Sequence, residues 1–449
     1  MKTNNNKRSA RVSPKKVFIS NTAKGLTSQA GLVPVVKFLH RAGMGTLIKN
    51  TLEHQRGDNA VYDAVDAVYL TVVAIVGGSR CLRAVTTVWA DGVLRRLAGW
   101  LSIPDNSTLG RLFRTFHERQ IAQLETLNHR LRGKFWRQAL RNGKSTIAVR
   151  QCRVVDVDST EKTVYGKQQG AKKGYNPFRK GKESYHPILA FCSETKEILQ
   201  GWLRSGDAYT SNGVVEFTKQ LLAHLPKKQQ ILFRGDSGFF NGKLFDLLDS
   251  KYHGYLVKVK LKGLKELLIG QYWEAIPGHS GWEQCVFWHQ CGNWSINRRF
   301  VAVRQEKKKE SQSARGELFE LKRYDYFCYV STEDMTPWQT HKSYGKRATC
   351  ETWIEEAKNQ MALAHIKMND FWGSSALFQC AILAYNTVRW MGLCSGDKEL
   401  KRWEPSTVRA FLIRVAGRIQ TGSRQLGLKA PENHLYLTQW NAWVEVGLT

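Results

Sequence analysis

Residues 146–160 read TIAVRQCRVVDVDST, an alternating run of β-branched residues that predicts a strand carrying two aspartates. Aspartate is disfavoured inside strands, so Asp156 and Asp158 need a reason to be there. With a repeat of two they leave one face of the strand, while Val155 and Val157 leave the other. The same pattern recurs in QQILFRGDS (229–237), where Asp236 closes an apolar run just before a turn. Carboxylates at strand ends of an α/β sheet are well placed for chemistry, because reactive groups collect there.

Working outward, further strands are expected at HPILAFCS (186–193), EILQGWLRSGD (197–207) and GYLVKVKL (254–261), with helices near 211–225 and 242–251. Three strands, a helix, a strand, a helix and a strand make an α/β core with a mixed sheet. From 262 to 335 the pattern turns strand-rich and gathers Trp273, Trp282, Trp288 and Trp294. Helical periodicity dominates from 33 to 142, with a helix start in IPDNSTLGRLFRTF capped by Asn106 or Ser107. Helices are expected again from 344 to the C-terminus.

The 449 residues carry a net charge of +30, a surplus normally retained because the partner is a polyanion. The first 50 residues hold ten Lys and Arg and no Asp or Glu. Another basic stretch, 405–430, contains Arg409, Arg414, Arg418, Arg424 and Lys429 with no acidic residue to Ala430. The longest apolar run, AVYLTVVAIVGG (67–78), is too short to span a bilayer, and no membrane partner is expected. The N-terminus lacks the apolar stretch of a signal peptide. Nine scattered cysteines fit reduced thiols in a cytoplasmic protein. Cys285, His289 and Cys291 in CVFWHQC are zinc-ligand types at irregular spacing, and the stretch reads as an aromatic strand.

SYGKRATCETWIEEAKNQM (343–361) supplies a third carboxylate. On one helix, Tyr344, Arg347 and Lys358 would lie within about 40° of Glu351, a stripe of two cations and a phenol around one acid. Glu355 falls on the same stripe. A solvated helix face is the plain reading of such a stripe. Beside Asp158 and Asp236, however, Glu351 completes a carboxylate set suited to Mg²⁺, which phosphate chemistry uses. Arg347, Lys358 and Tyr344 would then hold phosphates.

These residues resemble the DDE transposases of bacterial insertion sequences, in the subgroup with a Y-x2-R-x3-E-x6-K signature and a β-rich insertion before the glutamate. The stretches DVDSTEKTVYGKQQGAKKGYNP, RSGDAYTSNG, RGDSGFF and YGKRATCETWIEEAK are similar to the IS thirteen-eighty family, and the resemblance runs from about 150 to 390. It implies an RNase H-like core that cuts DNA at the element's terminal inverted repeats and joins the freed 3′-hydroxyl to target DNA. Asp158, Asp236 and Glu351 would be catalytic and would hold two Mg²⁺ ions, with Mn²⁺ able to substitute. Asp156 is the fallback for Asp158. Tyr344, Arg347 and Lys358 would bind DNA, as would Trp288, Trp294 and Arg298 of the insertion. Which tryptophan would stack on a flipped base is left open. A homodimer on double-stranded DNA, nucleoid-associated in the bacterial cytoplasm, is the mechanistic expectation.

The division implied is a basic flexible arm (1–32), a helical DNA-binding region (33–146), a first core part (147–261), the β-rich insertion (262–335), a second core part with the glutamate helix (336–392), and a basic helical C-terminal region (393–449). Two other functions fit less well: an RNase H-like nuclease that only hydrolyses, and a transposase-derived DNA-binding protein that has lost catalysis. The first would not join ends. The second would show a broken carboxylate set, and here all three carboxylates are present.

Overall fold

The computed structural model describes residues 17–141, 143, 154–307 and 324–448, apart from 55, 58, 175, 177–178, 227–228, 293 and 423–424. The first half of the expected basic arm, the start of the 146–160 run, and Arg424 lie outside the described residues. A short strand, β1 (Leu26–Thr27), precedes seven helices: α1 (Leu32–Arg41), α2 (Met44–Thr51), α3 (Ala64–Gly77), α4 (Leu82–Trp89), α5 (Gly92–Ala98), α6 (Asn106–Phe113) and α7 (Glu118–Arg141). Asp105, not Asn106 or Ser107, caps α6, accepting from the Ser107 and Thr108 amides at 2.7 and 2.9 Å. Residues 67–77 of the apolar run lie in α3 and are buried. Among the described residues no single helix is long and apolar enough to cross a membrane; α3 and α4 pass such a test only as a pair bent by 84°.

The chain then supplies β2 (Val154–Ser159), the short strands β3 (Lys162–Thr163), β4 (Lys172–Lys173) and β5 (Glu183–Tyr185), which form a small sheet of their own, β6 (Ile188–Cys192), β7 (Ile198–Trp202), α8 (Val214–Ala223), β8 (Leu232–Gly235), α9 (Gly242–Ser250) and β9 (Gly254–Lys258). There follow α10 (Leu264–Ile269), β10 (Glu274–Ala275), β11 (Trp282–His289), β12 (Arg298–Glu306) and β13 (Tyr324–Ser331). Nine strands form one sheet in the order β10-β11-β12-β13-β9-β8-β2-β6-β7. The central pairs β2–β8 and β8–β9 are parallel, and the remaining pairs are antiparallel. The insertion is therefore not a body apart from the core. Its last strand pairs with β9, Val330 opposite Val257, so its hairpins prolong the core sheet. Buried Phe300, Ala302 and Val330 carry the hydrophobic core across that junction.

Beyond the sheet come α11 (Pro337–Gly345), α12 (Ala348–Glu355), a π-helical turn (Glu356–Gln360), α13 (Phe371–Ser395), α14 (Pro405–Val408), β14 (Gly417–Thr421), β15 (Leu426–Lys429) and α15 (Leu437–Leu448). The helix α13 is buried from Gly373 to Ser395, because α1, α3, α6, α7 and α15 pack around it and it lies against β7. Such burial on every side explains its nearly uniform apolar sequence. Two expectations change here. The C-terminal region is not wholly helical: β14 and β15 form a hairpin whose alternating IQT and LGLK residues suit a strand. The basic arm does not reach residue 32, since β1 joins that hairpin, Leu26 opposite Arg418, and the Ala30 amide donates to Val415 O at 3.0 Å.

Candidate active site

The parallel pairing of β2 and β8 sets Val157 beside Gly235, so the next residue of each strand is an aspartate, Asp158 and Asp236. Adjacent strands lie about 4.8 Å apart, so the two carboxylates leave neighbouring positions at the same end of the sheet. Asp236 ends its strand by capping a short 3₁₀ turn, its Oδ1 accepting from the Gly238 amide at 2.9 Å. Asp158 accepts from the Ser159 amide, also at 2.9 Å.

Asp156 leaves the same face of β2, as does its partner Phe191 on β6, whose ring meets Trp353 of α12 and Tyr385 of α13. The helix bearing Glu351 thus lies over the face that carries Asp158. Burial chiefly raises the Asp158 carboxyl, to about 6; Arg347 opposes the rise, while the nearby carboxylates of Asp236 and Glu351 add to it. Tyr344 feels the same Arg347, Asp236, Asp158 and Glu351 charges, although burial is the main cause of its raised value. The structure therefore brings Asp158, Asp236, Glu351, Tyr344 and Arg347 into one electrostatic neighbourhood.

The stripe is not one uninterrupted α-helix. Between α11 and α12 the turn tightens to i→i+3 bonds: the Arg347 amide donates to Tyr344 O and the Cys350 amide to Arg347 O. Lys358 lies in the π-helical turn. The sequence spacing still delivers Arg347 to the site, where its Nη2 lies 2.9 Å from Asp158 Oδ1 with side chains 7% and 13% exposed. Among the described residues, the buried Arg347 Nε has no hydrogen-bond partner. Lys358 Nζ donates to Thr160 Oγ1 at 2.9 Å and Glu161 Oε1 at 3.0 Å. It is tethered two and three residues beyond Asp158 along the chain, and paired rather than free.

Three candidates change meaning. Asp156 is fully buried, and its two oxygens accept from Arg234 Nε and Nη2 at 2.5 and 2.8 Å. Arg234 also donates to Ser343 O, so this pair fastens α11 to the sheet, with both Asp156 oxygens taken up by the guanidinium. Arg298, proposed to touch DNA, is 2% exposed, ion-paired with Asp246 and Asp249 and stacked on Trp294. Trp294 packs against Phe240, Phe245 and Phe300. Both hold the insertion to α9 instead of facing outward. Trp288, by contrast, is 68% exposed on β11, whereas Trp282 and Trp273 pack on Trp338 and Tyr326. Glu355 is held by Asn359.

Sequence reasoning missed a loop that walls the site. Arg204 Nε donates to His186 O at 3.0 Å and its Nη1 to Asn212 O at 2.8 Å. This fixes residues 204–212, and Thr210 Oγ1 meets Ser159 Oγ at 2.9 Å. His186, whose Nδ1 lies 2.6 Å from Ala208 O, is close enough to feel Asp236 and Glu161; burial still lowers its pKa. The RSGDAYTSNG motif was the available signal, without a residue-level role. The eight described cysteines are free, and Cys285 and Cys291 are buried. Among the described residues, no group of three His, Cys, Asp or Glu is spaced to hold a metal ion, the CVFWHQC cluster included.

A search of curated proteins finds no match to this chain. Among solved structures it is similar to the piggyBac transposase of a cryo-EM synaptic complex with hairpin DNA, at 14% identity over 84% of this chain and 83% of that one, with a TM-score of 0.38. A family model described as transposase DDE domain group 1 matches residues 9–445. With that match over nearly its whole length, a chain that sets two strand-end aspartates beneath a glutamate helix belongs to the DDE transposase family.

Proposed function

We propose that this protein binds the terminal inverted repeats of its own insertion sequence, cleaves the ends and joins the 3′-hydroxyl to target DNA. The observation that carries the reading is the adjacency of Asp158 and Asp236 on paired parallel strands, with Glu351 sharing their electrostatic field. The order β7-β6-β2-β8-β9, antiparallel on the first side of β2 and parallel on the other, supports an RNase H-like core.

The donor set suits a hard divalent cation such as Mg²⁺ in kind: three oxygen ligands whose mutual repulsion a cation relieves. Asp158, Asp236 and Glu351, which are not spaced to hold a metal ion in this structure, would have to draw together around it as Arg347 releases Asp158. When bound, Mg²⁺ supplies charge stabilisation and an acidified water for displacement at phosphorus. The chain's own residues do the rest. Once released from Asp158, the Arg347 guanidinium offers its donors to a phosphate oxygen. The braced 204–212 loop and Tyr344 wall the phosphate. In the first step a water oxygen bonds to phosphorus and the 3′-oxygen leaves as a hydroxyl. In the second, that hydroxyl attacks a target phosphodiester, forming one P–O bond as another breaks. Trp288 is the exposed tryptophan among the insertion's candidates for stacking on an unstacked base.

The test is incubation of the protein, Mg²⁺ and a plasmid carrying the inverted repeats that flank its gene. Ends with free 3′-hydroxyls, followed by joined products, support the reading. Cutting without joining would identify a nuclease, and binding without cutting a transposase that has lost catalysis.

A further inference from the structure

One quoted motif, KQQGAKKGYNP, has no role in the chemistry above, and RSGD opens the loop that walls the site. In the fold they meet. Four residues after Asp158 the chain enters a separate small sheet of order β3-β5-β4, with Lys162 opposite Tyr185 and Lys172 opposite Ser184. This outgrowth and the turns joining its strands expose Lys167, Lys172, Lys173, Arg179, Lys180 and Lys182. Among the described residues, only Lys172 of these six has a carboxylate partner, Asp207.

The outgrowth is braced. A side chain at Gly174 would meet Gly206 O at 1.9 Å, and one at Gly206 would meet Ser184 O at 2.0 Å, so the RSGD turn packs backbone to backbone against the sheet. Tyr185 Oη donates to Gln169 O at 2.7 Å, the Gln169 amide to Asn369 O at 2.8 Å, and Lys162 Nζ to Ile366 O at 2.8 Å. Asn176 bridges Thr163 and the Arg179 amide. Solvated lysines need no such bracing, and like charges held together repel. A polyanion relieves that repulsion.

We propose that this basic sheet is a phosphate track for the duplex DNA that extends from the candidate active site, an inference that rests on the function proposed above. Four extended residues separate Asp158 from Lys162, about 13 Å. Lys162 itself is buried and bonds Ile366 O, so at about 3.4 Å of rise per base pair the track's exposed lysines begin roughly four or more base pairs from the cleaved bond. Its contacts go to phosphates, so they position the duplex without reading its sequence.

The experiment uses the full-length protein and a variant with Lys167→Gln, Lys173→Gln, Lys180→Gln and Lys182→Gln, all exposed, with circular dichroism and melting as fold controls. Binding to an inverted-repeat duplex and to a scrambled one is measured between about 50 and 200 mM salt. The slope of log affinity against log salt should shrink by roughly 3 to 4 on both duplexes, with at least tenfold weaker binding. A hydroxyl-radical footprint on the inverted-repeat duplex should lose protection from about four base pairs outward while keeping it at the cleaved bond. If wild-type protein binds and cleaves but slope and footprint are unchanged in the variant, the track is wrong. A loss confined to the inverted repeat would also overturn it, since that is base readout. Wild-type protein that neither binds nor cleaves defeats the function proposed above first.

Discussion

On β2 the side chains of Asp156 and Asp158 leave one face of the strand, two residues apart, and their surroundings separate them. Asp156 is locked to Arg234 with no exposure, whereas Asp158 lies at the strand end beside Asp236 with Arg347 as its counter-charge. Removing one member of a buried pair leaves the other charge uncompensated, so Asp156→Ala should destabilise the fold by about 3–5 kcal/mol. Asp158→Asn should change the denaturation midpoint far less and abolish end cleavage while leaving DNA binding nearly intact. Urea melts and a cleavage assay on both variants check this, and the opposite pattern would return the metal-holding role to Asp156. Arg347 is more deeply placed than a solvated stripe would allow. Its planar fork reaches Asp158 through Nη2, a geometry that an ammonium does not reproduce. Arg347→Lys should therefore lose cleavage by about a hundredfold, the penalty of a phosphate misplaced by roughly 1 Å. Lys358→Gln should lose less, because Lys358 is already paired with Glu161. Near wild-type cleavage by Arg347→Lys would show that only its charge matters.

At the scale of elements, what sequence made legible was periodic, and what it hid was contact between distant segments. The strands holding Asp158 and Asp236 announced themselves by β-branched alternation that ends at a carboxylate. Nothing local, however, shows that the Arg234 side chain would reach back to Asp156 and on to Ser343, or that Arg298 would be enclosed by Asp246 and Asp249. Positive charge looks alike in sequence whether it faces DNA or braces two elements. Arg409 is a further case: in a stretch read as a basic tail, it is buried and donates to Val76 O and Gln360 O. The stripe from Tyr344 to Lys358 was drawn on an ideal helix, and a tightened turn at one end and a π turn at the other changed its course. The hairpin β14–β15 pairs locally, Thr421 opposite Leu426, whereas its further pairing with β1 joins residues nearly a chain length apart. One consequence follows for the RSGD turn. Gly206→Ala forces a Cβ into two backbone oxygens, which a flexible side chain cannot relieve. It should shift the small basic sheet and weaken DNA binding about as much as losing its lysines, while Gly181→Ala, with open space at its Cβ but a positive φ of 76°, should cost only about 1 kcal/mol of stability. Equal binding by the two variants would mean that the close backbone contact is dispensable.

For the whole molecule, the core around α13 contains charges that titrate against each other. Burial raises Glu125 on α7 to about 7, although Gln200, Gln220 and Gln379 donate to its carboxyl. Its native value lies above its unfolded one, so the stability it contributes is complete below about 4.5 and is lost as pH rises through about 7. His129 and His224, stacked at 5.2 Å and lowered to about 4 mainly by burial, act in the opposite sense. Their contribution is present above about 6.5 and is lost as pH falls towards 4. The two effects overlap, so the wild-type curve alone cannot separate them, but a variant can. Glu125→Gln keeps the shape and some of the amide contacts while removing the titration. Its stability relative to wild type should rise between pH 5 and pH 8 by on the order of 3 kcal/mol, since each pKa unit is worth about 1.4 kcal/mol. Urea midpoints for both proteins across that range measure the difference directly. Parallel curves would mean that Glu125 ionises as easily in the folded chain as in the unfolded one, and that water reaches the junction of α7, β7 and α13.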